Sequence, residues 1–361
     1  MWDSPYLGNF LSGQLVLADA VARDLGLATH LVLAQGALGQ PWLAELDRPH
    51  LSWSILPGRG RRTRLRHLER VVREHRGAIV HSHFTEADLE AAVVARRCRT
   101  RCVWQMHTGF PTYSARQRAK DLFKVRIVGR RVDRLVAVSD WVASLARERG
   151  FPANRVVVLP NAIVLDRFAR LPDRTAARAR FGLPPDAHVA LALAWWPEVK
   201  GADVVVDALR RLSADPDGSP PIGLLVGEER LDEFLQKALP EEVPWLRRTR
   251  FVEDAAWLYA AADVFVSASR HEGYSYAVGE ALACGLPVLL TDIDGTRFYA
   301  DAPGAFVFNV DDSEGLAARL ADLLADPDRQ ALGAANRSWA HDHLGIDRWC
   351  SRMTALYRQL L

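Results

Sequence analysis

The chain has 361 residues, of which 49% are hydrophobic and 25% charged, and a formal net charge of +2. This balance is ordinary for a globular protein with a sizeable core, and the length predicts two domains. The sequence contains no uncharged apolar run of about 18 to 20 residues, so it predicts no membrane-spanning helix. Its first ten residues lack the basic and apolar segments of a secretory signal.

The four cysteines, Cys98, Cys102, Cys284 and Cys350, have neither metal-ligand nor disulfide-framework spacing. Reduced thiols are therefore expected, which predicts a cytoplasmic protein.

In the first half, short Val-, Ile- and Leu-rich runs alternate with amphipathic stretches, which predicts parallel strands joined by crossover helices. The predicted strands are His30–Ala34, Ala78–His81, Cys102–Met106, Arg134–Val138 and Arg155–Leu159. The predicted helices are Gln14–Leu25, Thr63–His75, Glu86–Arg97 and Trp141–Arg149. A glycine loop, LGNFLSGQ, should precede the first helix. Only Met1–Tyr6 come before it, so the first strand is either very short or incomplete.

A Pro- and Arg-rich connector, Phe168–His188, separates a second α/β series. Its predicted strands are Val189–Ala194, Ile222–Val226, Val264–Ser267, Pro287–Leu290 and Ala305–Phe308, and Arg337–Leu361 is predicted to be helical. We therefore expect an α/β protein with two Rossmann-like domains, residues 1–168 and 169–341. A C-terminal helix, residues 342–361, should pack back on the first domain.

The most informative segment is SASRHEGYSYAVGEALACGLPVLLTDIDG, residues 267–295. It follows a predicted buried strand, and a helix should open at about Ser275–Tyr276. Free backbone N–H groups and the helix dipole favour a phosphate there. Gly273 lets the backbone approach a ligand closely. Glu272 on the loop and Glu280 in the helix can accept hydrogen bonds from hydroxyl groups.

These residues resemble the retaining nucleotide-sugar glycosyltransferases of family 4, which have the two-domain GT-B fold. The shared pattern is Glu-Gly-aromatic, a second Glu eight positions after the first, then Ala, a small residue, Gly and Pro-Val. The segments VWQMHTGF, IVHSHF, WWPEVKG and VDRLVAVSDWVASLARERGFPANRVVVLPNAIVLDRF also resemble the family. The resemblance extends from about Gly13 through nearly the whole chain, and it implies two domains facing each other across a cleft.

The resemblance implies the following donor site. Lys200 holds the donor diphosphate as a compact cation. The backbone at Tyr276 and Ala277 caps the phosphates. Glu280 binds the ribose of the nucleotide, and Glu272 binds hydroxyl groups of the transferred sugar.

The remaining implied roles lie in the first domain, where His107 approaches the transferred sugar and Gly13 brings the N-terminal loop close to it. The family's retaining chemistry implies that Glu272 positions the sugar rather than attacking it, unlike the paired carboxylates of glycosidases. The resemblance implies no cofactor and no metal. A UDP-sugar is favoured over a GDP-sugar as donor.

Two residues depart from the family pattern. Trp195 stands five positions before Lys200, where the family usually has an arginine that helps to hold the diphosphate. Phe298 stands where a glutamate is frequent. A sugar-nucleotide-binding protein of GT-B fold with little or no transferase activity therefore remains an alternative. A GT-B phosphorylase or epimerase is a third interpretation, and the phosphorylase is disfavoured because no lysine is placed as a pyridoxal anchor.

Two possible metal sites are disfavoured. Asp292 and Asp294 have a DxD spacing, but that spacing is common by chance. His81 and His83 alternate on one strand, and we expect them to point to opposite faces, a poor geometry for zinc.

The two halves differ in charge. Residues 1–168 carry 26 Lys and Arg against 15 Asp and Glu, a formal charge of +11, and the remainder is −9. The basic half lacks a nucleic-acid-binding motif. The Arg59–Arg76 stretch can be a solvated face, or it can bind an anionic membrane surface. The acceptor is accordingly either a small molecule or lipid-linked.

Overall fold

The computed structural model describes residues 7–58, 60–83, 87–108, 122, 124–214, 220–239 and 241–361. The chain forms two compact units. Unit 1 comprises Met1–Ala162 and Ile346–Leu361, and unit 2 is Ile163–Gly345.

The unit boundaries differ from the residue ranges predicted for the domains. Ile163 already belongs to unit 2, where its N–H donates to the carbonyl oxygen of Leu344 at 2.7 Å. The Pro- and Arg-rich connector also belongs to unit 2, because Arg174 and Arg178 donate to the Asp263 carboxylate at 2.6 and 2.8 Å. The Pro- and Arg-rich composition therefore marks a segment that follows the boundary between the two units.

The described residues of unit 1 form six parallel strands in two sheets, one of order β1-β2 and one of order β3-β4-β5-β6. The strands are β1 Thr29–Leu33, β2 Leu51–Ile55, β3 Ile79–His83, β4 Arg101–Met106, β5 Arg134–Ala137 and β6 Val156–Val158. The helices described in the body of the unit are α1 Gly8–Leu25, α2 Arg61–Glu74, α3 Asp88–Cys98 and α4 Asp140–Glu148.

The predicted N-terminal glycine loop is wrong, because α1 already begins at Gly8 and includes all but the first residue of LGNFLSGQ. Gly13 is buried within this helix, and a Cβ atom added there would lie 3.5 Å from the Ile346 side chain. The residues expected to form the preceding strand, Met1–Tyr6, lie outside the described residues. The role of Gly13 near the sugar stays a prediction.

Unit 2 contains one six-stranded parallel sheet of order β12-β11-β10-β7-β8-β9. Its strands are β7 Val189–Leu193, β8 Ile222–Val226, β9 Leu246–Thr249, β10 Val264–Ser267, β11 Val288–Thr291 and β12 Ala305–Phe308. Its helices are α5 Arg174–Arg180, α6 Pro197–Lys200, α7 Ala202–Ser213, α8 Glu229–Ala238, α9 Ala256–Ala261, α10 Tyr276–Ala283, α11 Ser313–Ala325 and α12 Arg329–Leu344.

The end of the chain forms two helices rather than the single predicted stretch. Helix α12 ends before Gly345, and α13, Ile346–Arg358, belongs to unit 1. Trp349, Met353 and Tyr357 of α13 share a hydrophobic core with Leu17 and Val21 of α1. The C-terminal helix therefore packs on the first domain, as predicted.

Two strands were missed by the sequence reading. Both lie at one end of the strand order of their sheet, and both carry polar residues: LSWSI in β2 and LRRT in β9. Such edge strands lack the continuous apolar run that marks a buried parallel strand such as β8, in which all five residues are buried. Among the described residues, no helix is long and apolar enough to cross a membrane.

Candidate active site

The strand order of unit 2 places the site at the point where the order reverses. Strand β7 is the first strand of unit 2 in sequence, and it pairs with β8 on one side and with β10 on the other. In a parallel sheet of this order, ligands bind outside the carboxyl ends of the strands at that reversal. Lys200 follows β7 and Glu272 follows β10, so the fold brings both predicted residues to this edge.

Lys200 and Glu272 form an ion pair between Nζ and Oε1, and both side chains are largely buried, with 14% and 11% of their surface exposed. The hydroxyl group of Ser269 donates to the same carboxylate oxygen at 3.0 Å. The resemblance assigned these two side chains to neighbouring parts of one ligand. The structure brings them into direct contact.

Two glycines make this contact sterically feasible. Gly201 has a left-handed backbone with φ of 65°, and a Cβ atom there would lie 2.0 Å from the carbonyl oxygen of Ala268. A Cβ atom at Gly295 would lie 2.0 Å from the carbonyl oxygen of Glu272. Any side chain at either position would therefore push the Lys200 turn or the Glu272 loop out of place.

Arg270 connects the loop after β10 to the elements that carry Lys200. Its N–H donates to the carbonyl oxygen of Val199 at 2.8 Å, and its guanidinium group donates to both carboxylate oxygens of Asp203 at 3.0 and 2.6 Å. A third bond, at 2.6 Å, reaches Asp311. A bidentate pair of this kind fixes orientation as well as distance.

Helix α10 begins at Tyr276 after Ser275, as predicted. Its first N–H groups have no partner within the helix, which is the property that suits them to phosphate. Buried tyrosines hold the start of this helix. Tyr299 donates to the carbonyl oxygen of Ser275 at 2.7 Å, and the Tyr259 hydroxyl group lies 3.3 Å from the carbonyl oxygen of Ala277.

Glu280 is buried, with 9% of its surface exposed, and one carboxylate oxygen accepts a hydrogen bond from Tyr259 at 2.7 Å. Burial raises the pKa of Tyr259, and the neighbouring carboxylate raises it further. The phenol therefore remains a donor at neutral pH and orients the carboxylate that the resemblance assigns to the ribose.

Trp195 remains half exposed, at 48%, although it occupies the position of the missing arginine. Its ring centroid lies 5.4 Å from Lys200 Nζ, within the range of a cation–π contact. The ring centroids of Trp195 and Trp196 lie 6.0 Å apart, and the Arg230 guanidinium group lies 5.1 Å from the Trp196 centroid. An aromatic pair with a cation at each end therefore takes the place of the usual arginine.

The two carboxylates of the DxD sequence form ion pairs with an arginine side chain of the same unit. Arg297 pairs with Asp292 and Asp294, each at 3.0 Å. Within the described ranges, no group of three or more His, Cys, Asp and Glu side chains could hold a metal ion.

In unit 1, His107 lies one residue beyond β4 and is buried, with 9% exposed. Its Nε2 atom lies 3.2 Å from Nδ1 of His83, the last residue of β3. Phe10 of α1 contacts both rings edge-on, with centroids 5.2 Å apart in each case. His107 is therefore part of a histidine cluster rather than an isolated side chain.

The expectation that His81 and His83 point to opposite faces is wrong. Residues two apart on a strand share a face, and these rings lie 4.3 Å apart. His81 contacts the Tyr357 hydroxyl of α13 at 2.5 Å. Burial lowers the pKa of His81, His83 and His107, that of His83 to about 3, so all three are neutral at pH 7.

Several residues that shape these sites were missed by the sequence reading. They are Arg270, Tyr259, Tyr299, Gln105 and Asn161. Each acts through a partner at least 21 residues away in sequence, apart from the contact of Tyr259 with Ala277. The positions of Arg270, in SASRHEG, and of Asn161, in PNA, inside family-like segments were the available signals.

Comparison with known proteins places both halves of the chain in one family. Residues 17–167 match the model of glycosyltransferase family 4, and residues 187–326 match that of glycosyl transferases group 1. D-inositol 3-phosphate glycosyltransferase of Xylanimonas cellulosilytica is 30% identical over 310 residues, which are 78% of this chain and 72% of that protein. The enzyme of the same name from Thermobispora bispora is 29% identical over 94% of this chain and 84% of its own length.

A solved structure supports the fold over nearly the full length. HepE of Anabaena, crystallised with UDP and glucose, superimposes with a TM-score of 0.81 at 16% identity, covering 98% of this chain and 97% of that one. The sequence relatives, the two family models and this GT-B architecture agree. The chain belongs to the family 4, or group 1, glycosyltransferases.

Proposed function

We propose that the chain transfers a sugar from a nucleoside diphosphate donor, bound in unit 2, to an acceptor hydroxyl group with retention of the anomeric configuration and without a metal ion. The observation that carries the proposal is the Lys200–Glu272 pair at the reversal point of the sheet. At that point a buried cation can bind the phosphate of a sugar phosphate, and a buried carboxylate can accept hydrogen bonds from the hydroxyl groups of its sugar.

The ion pair suits donor exchange. Before the donor binds, Glu272 neutralises Lys200, so neither charge is buried alone. A donor diphosphate offers Lys200 a stronger anion, and sugar hydroxyl groups then donate to the released Glu272 carboxylate. The N–H groups at Tyr276 and Ala277 supply further donors to the phosphate.

The proposed step keeps atoms and charge in balance. The bond between the anomeric carbon and the phosphate oxygen breaks, and the acceptor oxygen attacks from the same face. The leaving phosphate oxygen takes the proton of the acceptor hydroxyl group. Lys200 and the helix N–H groups stabilise the charge that develops on the diphosphate, as preorganised donors do.

Glu272 acts in this scheme by positioning the sugar. Ser269 donates to its Oε1 atom, and in the donor complex the sugar hydroxyl groups donate to the same carboxylate, which leaves it a poor nucleophile. His107 contacts the transferred sugar, as the family resemblance implies.

The donor is proposed to be a UDP-sugar rather than a GDP-sugar. HepE of Anabaena has been crystallised with UDP-glucose, with a TM-score of 0.81 to this chain. A thermal-shift screen against UDP-, GDP-, ADP- and dTDP-sugars tests this, because ligand at 100 times its dissociation constant stabilises by about 2.7 kcal/mol.

The site assignment predicts different effects for its two glutamates. Glu280→Ala and Lys200→Ala should weaken nucleotide binding about tenfold or more, since each removes a charged hydrogen-bonding partner. Glu272→Ala should bind nucleotide nearly as well but turn over much more slowly. Calorimetric titration with UDP and steady-state kinetics separate these effects. Unchanged nucleotide affinity in both Lys200→Ala and Glu280→Ala contradicts the assignment.

Metal independence predicts that transfer survives EDTA. The phosphate charge is met by Lys200 and a helix N-terminus, so dialysis against EDTA should leave the rate within about twofold. Complete loss of activity that Mg²⁺ or Mn²⁺ restores would instead favour a metal at Asp292 and Asp294.

One observation favours the second candidate, a nucleotide-sugar-binding protein with little transferase activity. Trp195 removes a phosphate-binding charge next to Lys200. Donor consumption measured with and without acceptor distinguishes the two. Binding of a donor that is never consumed would support the binding protein.

The proposed acceptor carries a phosphate or lies at an anionic membrane surface. Relatives named D-inositol 3-phosphate glycosyltransferase support a phosphorylated polyol. These relatives therefore favour an anionic acceptor over a neutral natural-product core.

A further inference from the structure

A buried chain of hydrogen bonds runs from two amide side chains to the histidine cluster of unit 1. Gln105 Nε2 donates to Asn161 Oδ1 at 3.1 Å, Asn161 Nδ2 lies 3.5 Å from His107 Nδ1, and His107 Nε2 lies 3.2 Å from His83 Nδ1. Gln105 is fully buried and Asn161 is 5% exposed. Few alternative arrangements are therefore available to either amide.

The donor-to-acceptor direction of these hydrogen bonds decides which ring nitrogen of His107 carries the hydrogen. Because Gln105 donates to Asn161 Oδ1, Asn161 turns its amide nitrogen towards His107. A ring nitrogen that accepts an N–H must carry a lone pair, so the hydrogen of the neutral His107 ring lies on Nε2. His107 can then donate to His83 Nδ1.

The opposite assignment is disfavoured by burial. A hydrogen on His107 Nδ1 requires the Asn161 oxygen there, which turns the Asn161 nitrogen towards Gln105 and forces Gln105 to rotate as well. The NH₂ group of Gln105 would then occupy the place of Oε1, a buried atom without a hydrogen-bond partner in the described part of the chain. One further unpaired buried N–H group would then replace one unpaired carbonyl oxygen, and orphaned N–H groups are the rarer of the two.

We propose that Gln105 and Asn161 are positioning residues that hold His107 in its Nε2–H tautomer, so that the ring presents a hydrogen-bond donor and not a base. His107 can transfer this donated bond from His83 to an oxygen atom of the sugar without changing its tautomer. This role deepens the proposed function and rests on it, whereas the tautomer itself is measurable without any substrate.

Asn161→Asp is the decisive variant because it has the same shape and accepts hydrogen bonds only. A carboxylate beside Nδ1 requires a hydrogen there, so the variant should invert the tautomer or protonate the ring. Asn154→Asp is the matched control: it makes the same chemical change at an exposed position of unit 1.

Two-bond ¹⁵N–¹H correlation spectra of histidine-labelled protein at pH 7.5 distinguish the tautomers, with His107→Gln and His83→Gln used to assign the signals. We expect Nε2–H at His107 in the wild type and in Asn154→Asp, and a hydrogen on Nδ1 in Asn161→Asp. A wild-type His107 protonated on Nδ1 would overturn the proposal, and that measurement stands even if Asn161→Asp does not fold.

Kinetics tests whether the tautomer matters. Asn161→Asp should lower kcat at least tenfold while the donor KM stays within twofold, because the residues assigned to the diphosphate and the nucleotide lie in unit 2. Wild-type turnover by a variant with an inverted tautomer would overturn the positioning role. If the wild type itself transfers no sugar, the proposed function fails, while the spectra still decide the tautomer.

Discussion

At the scale of single residues, the substitution with the largest consequence is the tryptophan at position 195. A guanidinium group in this place would add a permanent charge and planar donors for phosphate oxygens. The indole ring instead contributes an aromatic face 5.4 Å from Lys200 Nζ. In the proposed donor complex, the positive charge available to the diphosphate therefore depends more heavily on Lys200.

Trp195→Arg should tighten UDP binding about tenfold, equivalent to roughly 1.4 kcal/mol, because it adds a charged donor next to the diphosphate position. Trp195→Phe is the control, since it keeps an aromatic face and adds no charge. Calorimetric titration at two salt concentrations measures the effect, and the gain should shrink at high salt. Weaker binding by Trp195→Arg would mean that the indole ring itself contacts the donor.

At the scale of elements, function gathers where parallel strands end. Lys200 and Glu272 follow β7 and β10, whereas His83 ends β3 and His107 follows β4. A parallel sheet brings the carboxyl ends of its strands to one edge, so residues far apart in sequence meet there. The cost is the burial of polar groups, which the fold offsets with partners such as Ser269, Tyr259 and Asn161.

The histidine cluster at the ends of β3 and β4 predicts loss of stability in mild acid. Burial lowers the pKa of His83 from 6.5 to about 3. Between pH 6.5 and about pH 3, His83 binds a proton in the unfolded chain but not in the folded chain. The contribution of neutral His83 to the free energy of unfolding is therefore complete above pH 6.5 and is lost as the pH falls towards 3.

For His83 alone, the free energy of unfolding should fall by about 2 kcal/mol between pH 7.5 and pH 5. Urea unfolding at several pH values measures this. His83→Gln should flatten the dependence, whereas His341→Gln, at an exposed position of α12, should not. The same acid sensitivity in His83→Gln and in the wild type would contradict this assignment.

At the scale of the whole molecule, charge is distributed unevenly along the chain. Residues 1–168 carry a formal charge of +11. Ion pairs within unit 1 compensate part of the basic helix α2, since Arg64 pairs with Glu90 and Arg73 pairs with Glu69, at 2.7 and 2.8 Å. Arg62 and Arg66, four residues apart on α2, are exposed. These two remain the best candidates for contact with an anionic surface.

The protein should bind vesicles containing phosphatidylglycerol at low ionic strength and release them as salt rises, because this attraction is screened over about 8 Å at physiological salt. Arg62→Ala/Arg66→Ala should weaken cosedimentation severalfold. Arg210→Ala/Arg211→Ala removes the same charge from exposed positions of α7 in unit 2 and should have little effect. No binding even at low salt would leave a soluble acceptor.

Much of the fold followed from local pattern. Ile222–Val226 and Val264–Ser267 were predicted to the residue because buried parallel strands are continuous apolar runs, and the start of α10 followed from its motif. The N-terminal loop was wrong because LGNFLSGQ contains two glycines and yet lies almost entirely in a helix. Phe10 and Leu11 within this segment are buried in unit 1, and such tertiary packing overrides local preference.

The sequence alone determined the family and the two α/β units and predicted Lys200, Glu272, Glu280 and His107 as site residues, because motif residues are contiguous and strand patterns are local. Only the tertiary structure showed that Lys200 is paired with Glu272, that Tyr259 supports Glu280, and that Gln105 and Asn161 lead to His107. Those partners lie 21 to 72 residues apart. The first and last of these contacts arise where strand ends converge at a sheet edge, and that of Tyr259 with Glu280 joins α9 and α10. Sequence spacing encodes neither kind of contact.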